Sequence, residues 1–365
     1  MGCDLPARNR THAIMVGQVK VGGGAPVSVQ SMTNHPMRQT DGGPCLDVAG
    51  NLAQIGRLSA EGCEIVRVAI PNMRSLDAFG EICSRSPLPV VADIHFDHRI
   101  AVAAARKGAA ALRINPGNIG DMDKVDLVIE AAGEAGVPIR IGVNGGSLSQ
   151  AWRERTDIPL AERLAGSACE FVEHFESRGF DKLAVSAKAS DCMVTVETYR
   201  LISERLPHVP LHLGVTEAGT GMRGAIKSSV ALGILLCEGI GDTLRISLTD
   251  DTVLEVRAAW DLLAACNLRH VRAELVSCPT CSRCQVDMIP IAQEVERRLA
   301  AVHRPLKVAV MGCEVNGPGE ASDADIGVAC GRGSGLIFAK GSPLCRVPAE
   351  SIVDALFEQI DRLWA

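Results

Sequence analysis

The sequence predicts an α/β chain in two parts, a (β/α)8 TIM barrel followed by a smaller α+β domain. Three observations predict it. Short apolar strand-like runs alternate eight times with helical patterns over about 250 residues, polar side chains gather at one end of those runs, and the rhythm breaks near residue 268, where spaced cysteines begin. Strands that are apolar almost throughout are buried on both faces, as in parallel sheets, and barrel enzymes place their chemistry at the C-terminal ends of the strands. The boundaries drawn are 1–267 for the barrel and 268–365 for the second domain.

Gly22-Gly23-Gly24 reads as a turn before the first strand, 27–32, whose helix is expected near 45–60. The strands 65–70, 90–95 and 111–115 lead to helices 73–84, 98–107 and 122–136. Strands 139–144, 183–188, 211–216 and 243–248 lead to helices 159–178, 191–206, 222–238 and 252–266. Asp93, His95, Asn115, Asn118, Asn144, Ser147, Lys188, Thr216, Glu217 and Ser247 fall at or just after the strand ends, and Arg67 lies mid-strand. The cations of this set are Arg67, Arg113, Arg140, Lys188 and Arg245. A single inward Arg or Lys is usually paired with a neighbouring carboxylate. Five converging on one mouth suit a multiply charged anion such as a diphosphate, with Arg as bidentate donor and Lys as point charge. Asn144-Gly145-Gly146-Ser147 and Ala218-Gly219-Thr220-Gly221 are expected to offer bare N–H groups to phosphate at helix starts.

Beyond 268, Glu274–Ser277 reads as a strand running into Cys278-Pro279-Thr280-Cys281, Ile289–Ala301 as an amphipathic helix, and Lys307–Met311 as a strand delivering Cys313. Asp325–Cys330 and Leu336–Ala339 read as a hairpin, and Pro348–Trp364 as the final helix. A CxxC turn aims two thiolates at one metal centre, and a third from a distant strand closes the other side. CxxC alone also matches redox disulfides and zinc ribbons, although a ribbon wants a second CxxC or a His pair and none follows. Cys284 extends the run to CxxCxxC, but the further Cys-Pro of a bacterial ferredoxin motif is absent, so Cys284 is read as a bystander thiol and otherwise as a rival to Cys313. If Glu320 supplies an oxygen ligand, one metal corner differs chemically from the rest and can be vacated for substrate.

Composition narrows the function classes. Aromatic residues make up 3% and the formal net charge is −6, which disfavours nucleic-acid readers, since these stack bases on rings and carry basic faces. The longest apolar runs, such as Val230–Cys237, are too short to span a bilayer, and no signal-like segment opens the chain. The 14 cysteines are therefore expected to be reduced thiols of a cytoplasmic protein, most of them small buried hydrophobes.

Val27–Asn34, Leu112–Asn118, Arg140–Asn144, Leu213–Gly219, Ser277–Cys281 and Met311–Glu320 together resemble the 4-hydroxy-3-methylbut-2-enyl diphosphate synthase family, the GcpE proteins, over essentially the whole chain in one register. The resemblance implies a barrel similar to dihydropteroate synthase and a C-terminal domain holding a [4Fe-4S] cluster through three Cys and one Glu. The implied ligands are Cys278, Cys281, Cys313 and Glu320. The implied reaction is the two-electron reductive ring opening and dehydration of 2-C-methyl-D-erythritol 2,4-cyclodiphosphate. Its electrons come from a flavodoxin or ferredoxin, and a homodimer sets the barrel of one subunit against the cluster domain of the other.

By the same resemblance Glu217 and Glu320 are the catalytic carboxylates, with Glu217 the candidate proton donor, although Glu217 could instead orient Arg245 or Lys188. The substrate-binding set drawn from the mouth is Arg67, Arg113, Asn115, Arg140, Asn144, Ser147, Lys188, His212, Arg245 and Ser247, and His95 or His212 could share the proton work, though a lone strand His is more often structural. Cys284 departs from the family's usual Thr, and the large insertion of plant-type members has no room here, which implies the two-domain bacterial form. The competing readings are a non-redox barrel with a structural zinc, and an iron–sulfur sensor read by a partner.

Overall fold

The protein was analysed as a computed structural model describing residues 7–41, 43–313, 321 and 323–364. The chain divides into two compact units, Met1–Arg269 and His270–Ala365.

In the first unit eight parallel strands alternate with eight main helices. The strands are β1 (Ser28–Met32), β2 (Ile65–Ala69), β3 (Val90–Asp93), β4 (Ala111–Ile114), β5 (Ile139–Asn144), β6 (Leu183–Lys188), β7 (His212–Leu213) and β8 (Thr243–Leu244). The helices are α1 (Val48–Ala60), α2 (Leu76–Arg85), α3 (His98–Arg106), α4 (Met122–Ala135), α5 (Leu160–Ser177), α6 (Cys192–Arg205), α7 (Gly221–Cys237) and α8 (Thr252–Ala265). The sheet order is β6-β5-β4-β3-β2-β1-β8-β7. A parallel bridge between Val185 and Leu211 closes the ring, and the Val185 N–H donates to Pro210 O at 2.9 Å.

Val29, Val66, Val68, Leu112, Ile141 and Val185 are fully buried because helices cover the outside and side chains fill the inside. The helices bury one stripe each, as in α2 with Leu76, Phe79 and Ile82 at spacing three. Asp97, Asp191 and Asp251 cap α3, α6 and α8 by accepting from the N–H groups of Arg99, Val194 and Val253. The β7 and β8 ladders stop at Leu213 and Leu244, short of the predicted ends at 216 and 248. Beyond those points the chain turns to line the mouth with polar side chains.

The opposite, N-terminal mouth is plugged by a hairpin that the sequence reading did not identify, Ile14–Val16 paired with Val19–Val21. Gly17 takes the left-handed φ of +58° that its tight turn demands. Ile14, Val16 and Val21 pack on Ile65, Val91, Ala111 and Ala184 at the starts of four strands. One-turn helices Pro116–Ile119 and Gln150–Arg153 follow β4 and β5.

The second unit is a five-stranded sheet in the order β9 (Ala273–Ser277), β10 (Leu306–Met311), β11 (Ile326–Gly331), β12 (Ser334–Ala339) and β13 (Ser342–Pro348). The first three are mutually parallel, and β12 and β13 are antiparallel additions. On one face Val308, Val310, Ile326 and Val328 pack against α9 (Met288–Leu299) and α10 (Ile352–Trp364) through Val295, Leu299, Ile352, Leu356 and Ile360. On the other face Ala309, Met311, Ala329 and Phe338 make a second, smaller cluster. The final helix therefore begins at Ile352 and not at Pro348, because 342–348 is an exposed edge strand that Pro348 ends. No helix among the described residues is long and apolar enough to cross a membrane.

Candidate active site

At the C-terminal mouth of the barrel Arg67, Arg113, Asn144, Ser186, Lys188, Thr216, Arg245 and Ser247 line one cavity of about 110 Å³ together with Val143 and Val215. The structure thus brings together six of the predicted substrate residues from five strands or their following loops. Ser186 was missed, although it sits two residues before Lys188 on β6 and so faces the same side of the strand.

Two buried carboxylates organise the cations. Asp93 accepts from Arg113 Nη1 at 3.0 Å and lies 3.5 Å from Arg67 Nε. Burial alone would raise the Asp93 carboxyl, but Arg67 and Arg113 hold it below the ordinary carboxylate value. Glu255, the other carboxylate and absent from the sequence reading, projects from α8 and takes both Arg245 Nη2 at 2.9 Å and Arg245 Nε at 3.1 Å. It also accepts from Ser31 Oγ at 2.9 Å and the Leu248 N–H at 3.0 Å. Five cations (Arg67, Arg113, Arg140, Lys188, Arg245) against two carboxylates (Asp93, Glu255) leave a nominal surplus of three positive charges, 5 − 2. Lys188 has no carboxylate partner among the described residues. Burial first, and then repulsion from Arg67, Arg140, Arg245 and Arg113, pushes its ammonium well below the usual lysine value. Arg67 is likewise lowered to about 10 by burial, only partly offset by Asp93.

Beneath this layer lie three predicted residues that do not line the cavity. Arg140 is buried and donates from Nη1 to Gln30 Oε1 at 2.7 Å, while its Nε and Nη2 have no partner. Asn115 Oδ1 and both ring nitrogens of His212 are also buried without a partner. Burial and the surrounding Arg140 and Lys188 push His212 well below its ordinary value, so it is a neutral imidazole. Unpaired buried polar atoms are costly, and such a cluster is unusual in a core built only for packing. Two glycines create the room. A Cβ at Gly142 would lie 2.4 Å from Asn115 Oδ1 and 2.8 Å from Arg113 Nε, and one at Gly214 would lie 2.4 Å from Lys188 Nζ.

The remaining mouth residues divide by role. Ser147 stabilises its turn, donating to Asn144 Oδ1 at 3.0 Å and accepting from the Asn144 N–H at 3.0 Å, and the Gly146 N–H is taken by Asn144 Oδ1. The Asn144, Gly146 and Ser147 N–H groups of that loop are therefore spent internally, and the helix after it is the one-turn Gln150–Arg153. Glu217 is exposed on the loop after β7 with φ +55°, a left-handed conformation that costs a non-glycine residue on the order of 1 kcal/mol. It makes no ion pair among the described residues, and Arg245 is oriented by Glu255 instead. His95 is half-exposed, 3.9 Å from Asp93.

In the second unit the parallel pairing of β9 with β10 sets their C-terminal ends side by side, with Ser277 opposite Val310. Cys278, Pro279, Cys281, Arg283, Cys284, Gly312 and Cys313 surround a cavity of about 150 Å³. Cys313 is buried, Cys278 and Cys284 are half-buried and Cys281 is exposed. The Gly312 N–H donates to Cys278 Sγ at 3.2 Å, the kind of bond that tunes thiolate ligands. A Cβ at Gly312 would fall 2.6 Å from Cys284 Sγ and 2.9 Å from Met288 Sδ, so only glycine leaves the cradle open. The Arg283 backbone N–H and guanidinium beside Cys281 hold its thiol below the usual value. Cys284 lines the same wall while donating to Val286 O at 3.2 Å. No three His, Cys, Asp or Glu side chains among the described residues form a site for a single metal ion. Thiols gathered around one cavity are soft ligands, and this cradle fits the thiolate chemistry by which iron–sulfur groups are held. Glu320 lies outside the described residues.

The family model described as the GcpE TIM-barrel domain matches residues 11–260, and that of the GcpE protein C-terminal domain matches 274–362. The chain is 51% identical over 356 residues to a protein of Geobacter sulfurreducens named 4-hydroxy-3-methylbut-2-en-1-yl diphosphate synthase (flavodoxin), covering 98% of each chain. It is 48% identical to the Aquifex aeolicus protein of the same name, covering 98% of this chain and 97% of that one. Among solved structures, a Yersinia pestis dihydropteroate synthase superposes with a TM-score of 0.50 at 15% identity, covering 71% of this chain and 100% of its own, which is a likeness of fold.

Proposed function

The chain belongs to the GcpE family, and from that premise we propose how its residues carry out the family's reaction. The reaction is the reductive ring opening and dehydration of 2-C-methyl-D-erythritol 2,4-cyclodiphosphate to (E)-4-hydroxy-3-methylbut-2-enyl diphosphate, an oxidoreductase step of isoprenoid synthesis. The observation that carries the assignment of the barrel mouth is the surplus of cations over carboxylates around Lys188.

In this reading Arg67, Arg113, Arg245 and Lys188 receive the diphosphate, with Asn144 and Ser247 as neutral donors and Arg140, Asn115 and His212 as a supporting layer below. When the ring opens, a carbon–oxygen bond to phosphate breaks and the departing oxygen gains negative charge. Asp93 and Glu255 already hold Arg67, Arg113 and Arg245 in place beside Lys188, so the cations stabilise that charge with little reorganisation. Glu217 donates the proton that lets the lost hydroxyl leave as water. Its strained backbone is compatible with a side chain held for chemistry, since such strain is concentrated at functional loops.

Cys278, Cys281, Cys313 and Glu320 are the residues we assign to hold a [4Fe-4S] cluster, with Ser147 supporting the Asn144 turn. When bound, that group supplies the two electrons. The relatives' names specify flavodoxin, and a flavodoxin or ferredoxin is the proposed donor here, in a cytoplasmic homodimer. The test is turnover: protein purified without oxygen, given reduced flavodoxin and the cyclodiphosphate, is expected to release the linear diphosphate by phosphorus NMR. Recovery of unchanged cyclodiphosphate by protein with its cluster intact would overturn the assignment.

A further inference from the structure

Cys237 and Cys266 belong to neither the barrel mouth nor the thiol cavity. Cys237 is the last residue of α7, and Cys266 directly follows the last residue of α8. Their Sγ atoms lie 4.0 Å apart. Both backbones are fixed by helix-terminal hydrogen bonds, the Cys266 N–H donating to Leu262 O at 3.0 Å and the Glu238 N–H after Cys237 to Ile234 O at 3.1 Å. A disulfide needs the sulfurs to close from 4.0 Å to the bond length of about 2.05 Å. The pair is asymmetric, since Cys237 is exposed and Cys266 is 8% exposed. Burial, together with the neighbouring Cys237, pushes the Cys266 thiol up to about 11.

We propose that Cys237 and Cys266 form a redox-active thiol pair, a modification site that a hydroperoxide converts to an intramolecular disulfide. Exposed Cys237 reacts first: its thiolate attacks a peroxide oxygen, the O–O bond breaks, and hydroxide leaves and is protonated to water, giving a sulfenic acid. Cys266 then loses its proton and attacks the Cys237 sulfur, forming the S–S bond and releasing the second water. Two thiols and one hydrogen peroxide thus become one disulfide and two waters. The bond joins the C-terminal ends of α7 and α8, on the barrel face opposite the strand C-terminal ends, and encloses β8 and α8. A thiol reductant reverses it.

The test uses the full chain with its cluster intact. The protein is exposed without oxygen to a few equivalents of hydrogen peroxide, quenched with an alkylating agent, digested and mapped by mass spectrometry. The expected product is a disulfide-linked peptide pair containing Cys237 and Cys266, appearing before any change at Cys83, whose thiol burial pushes up to about 12. It disappears on treatment with dithiothreitol and does not form in Cys237→Ser, where Cys266 stays alkylatable. Recovery of Cys237 as sulfinic acid, or of both thiols alkylated after the peroxide is consumed, overturns the proposal. The wild-type digest decides this without depending on the folding of any variant.

Discussion

Lys188 illustrates how one side chain sets the character of the mouth. It is half-buried among four arginines and, unlike Arg67, Arg113 and Arg245, has no carboxylate among the described residues to answer its charge. Hydrogen bonds to charged groups contribute about 1.5–3 kcal/mol, so Lys188→Ala is expected to lower kcat/KM by about 10- to 100-fold with the barrel still folded, measured by steady-state kinetics and circular dichroism. The same residue fixes a pH dependence. Its value is depressed in the free protein, and a bound polyanion removes the repulsion and raises it again. Between that depressed value and the usual 10.5 binding therefore takes up a proton, and affinity falls as pH rises through this window. Calorimetry in buffers of different ionisation heat should show the uptake in wild type and not in Lys188→Ala. Glu217 separates strain from chemistry. Glu217→Gly relieves a left-handed φ and is expected to keep or raise the melting temperature while turnover collapses. Unchanged turnover in Glu217→Gln would remove the carboxyl from the proton step.

At the scale of elements, the glycines inside strands and turns decide whether the sites can exist. Gly214→Ala places a methyl 2.4 Å from Lys188 Nζ and 3.0 Å from Arg245 O, and should weaken diphosphate binding. Gly312→Ala meets Cys284 Sγ at 2.6 Å and should lower the iron content of the purified protein, whereas Cys284→Ser should leave it unchanged. The eight βα units were legible because each strand is a largely apolar run and each helix buries one stripe. The inward set of cations was legible because the same strands end in polar residues. Glu255 was not legible as an organiser, since a lone carboxylate on a helix reads as solvated until β8 brings Arg245 to it. The supporting turn role of Ser147 was hidden for a similar reason, because a turn serine and a ligand serine look alike in sequence. The edge strand Ser342–Pro348 was missed because its turn is Lys340-Gly341 with φ +47° and +75°, a positive-φ pair without the usual Asn or Asp signal.

At the scale of the whole molecule, the proposed function assigns diphosphate binding to the barrel mouth and electron delivery to the thiol cradle, which belong to separate units. If the units act across a homodimer as proposed, mixing Lys188→Ala with Cys281→Ser protomers should restore turnover that neither variant shows above background. No recovery in verified mixed dimers would mean that each chain completes its own site. The fold of both units was readable from spacing, but the group proposed for the cradle rests on the family resemblance, since CxxC with a distant Cys is shared by several metals. The most direct measurement is therefore iron, acid-labile sulfide and the visible spectrum of protein purified without oxygen, beside Cys281→Ser. The account predicts a brown protein with about four irons and four sulfides per chain, and loss of both in the variant. One zinc and no sulfide per chain would contradict it and leave a non-redox barrel with a structural metal.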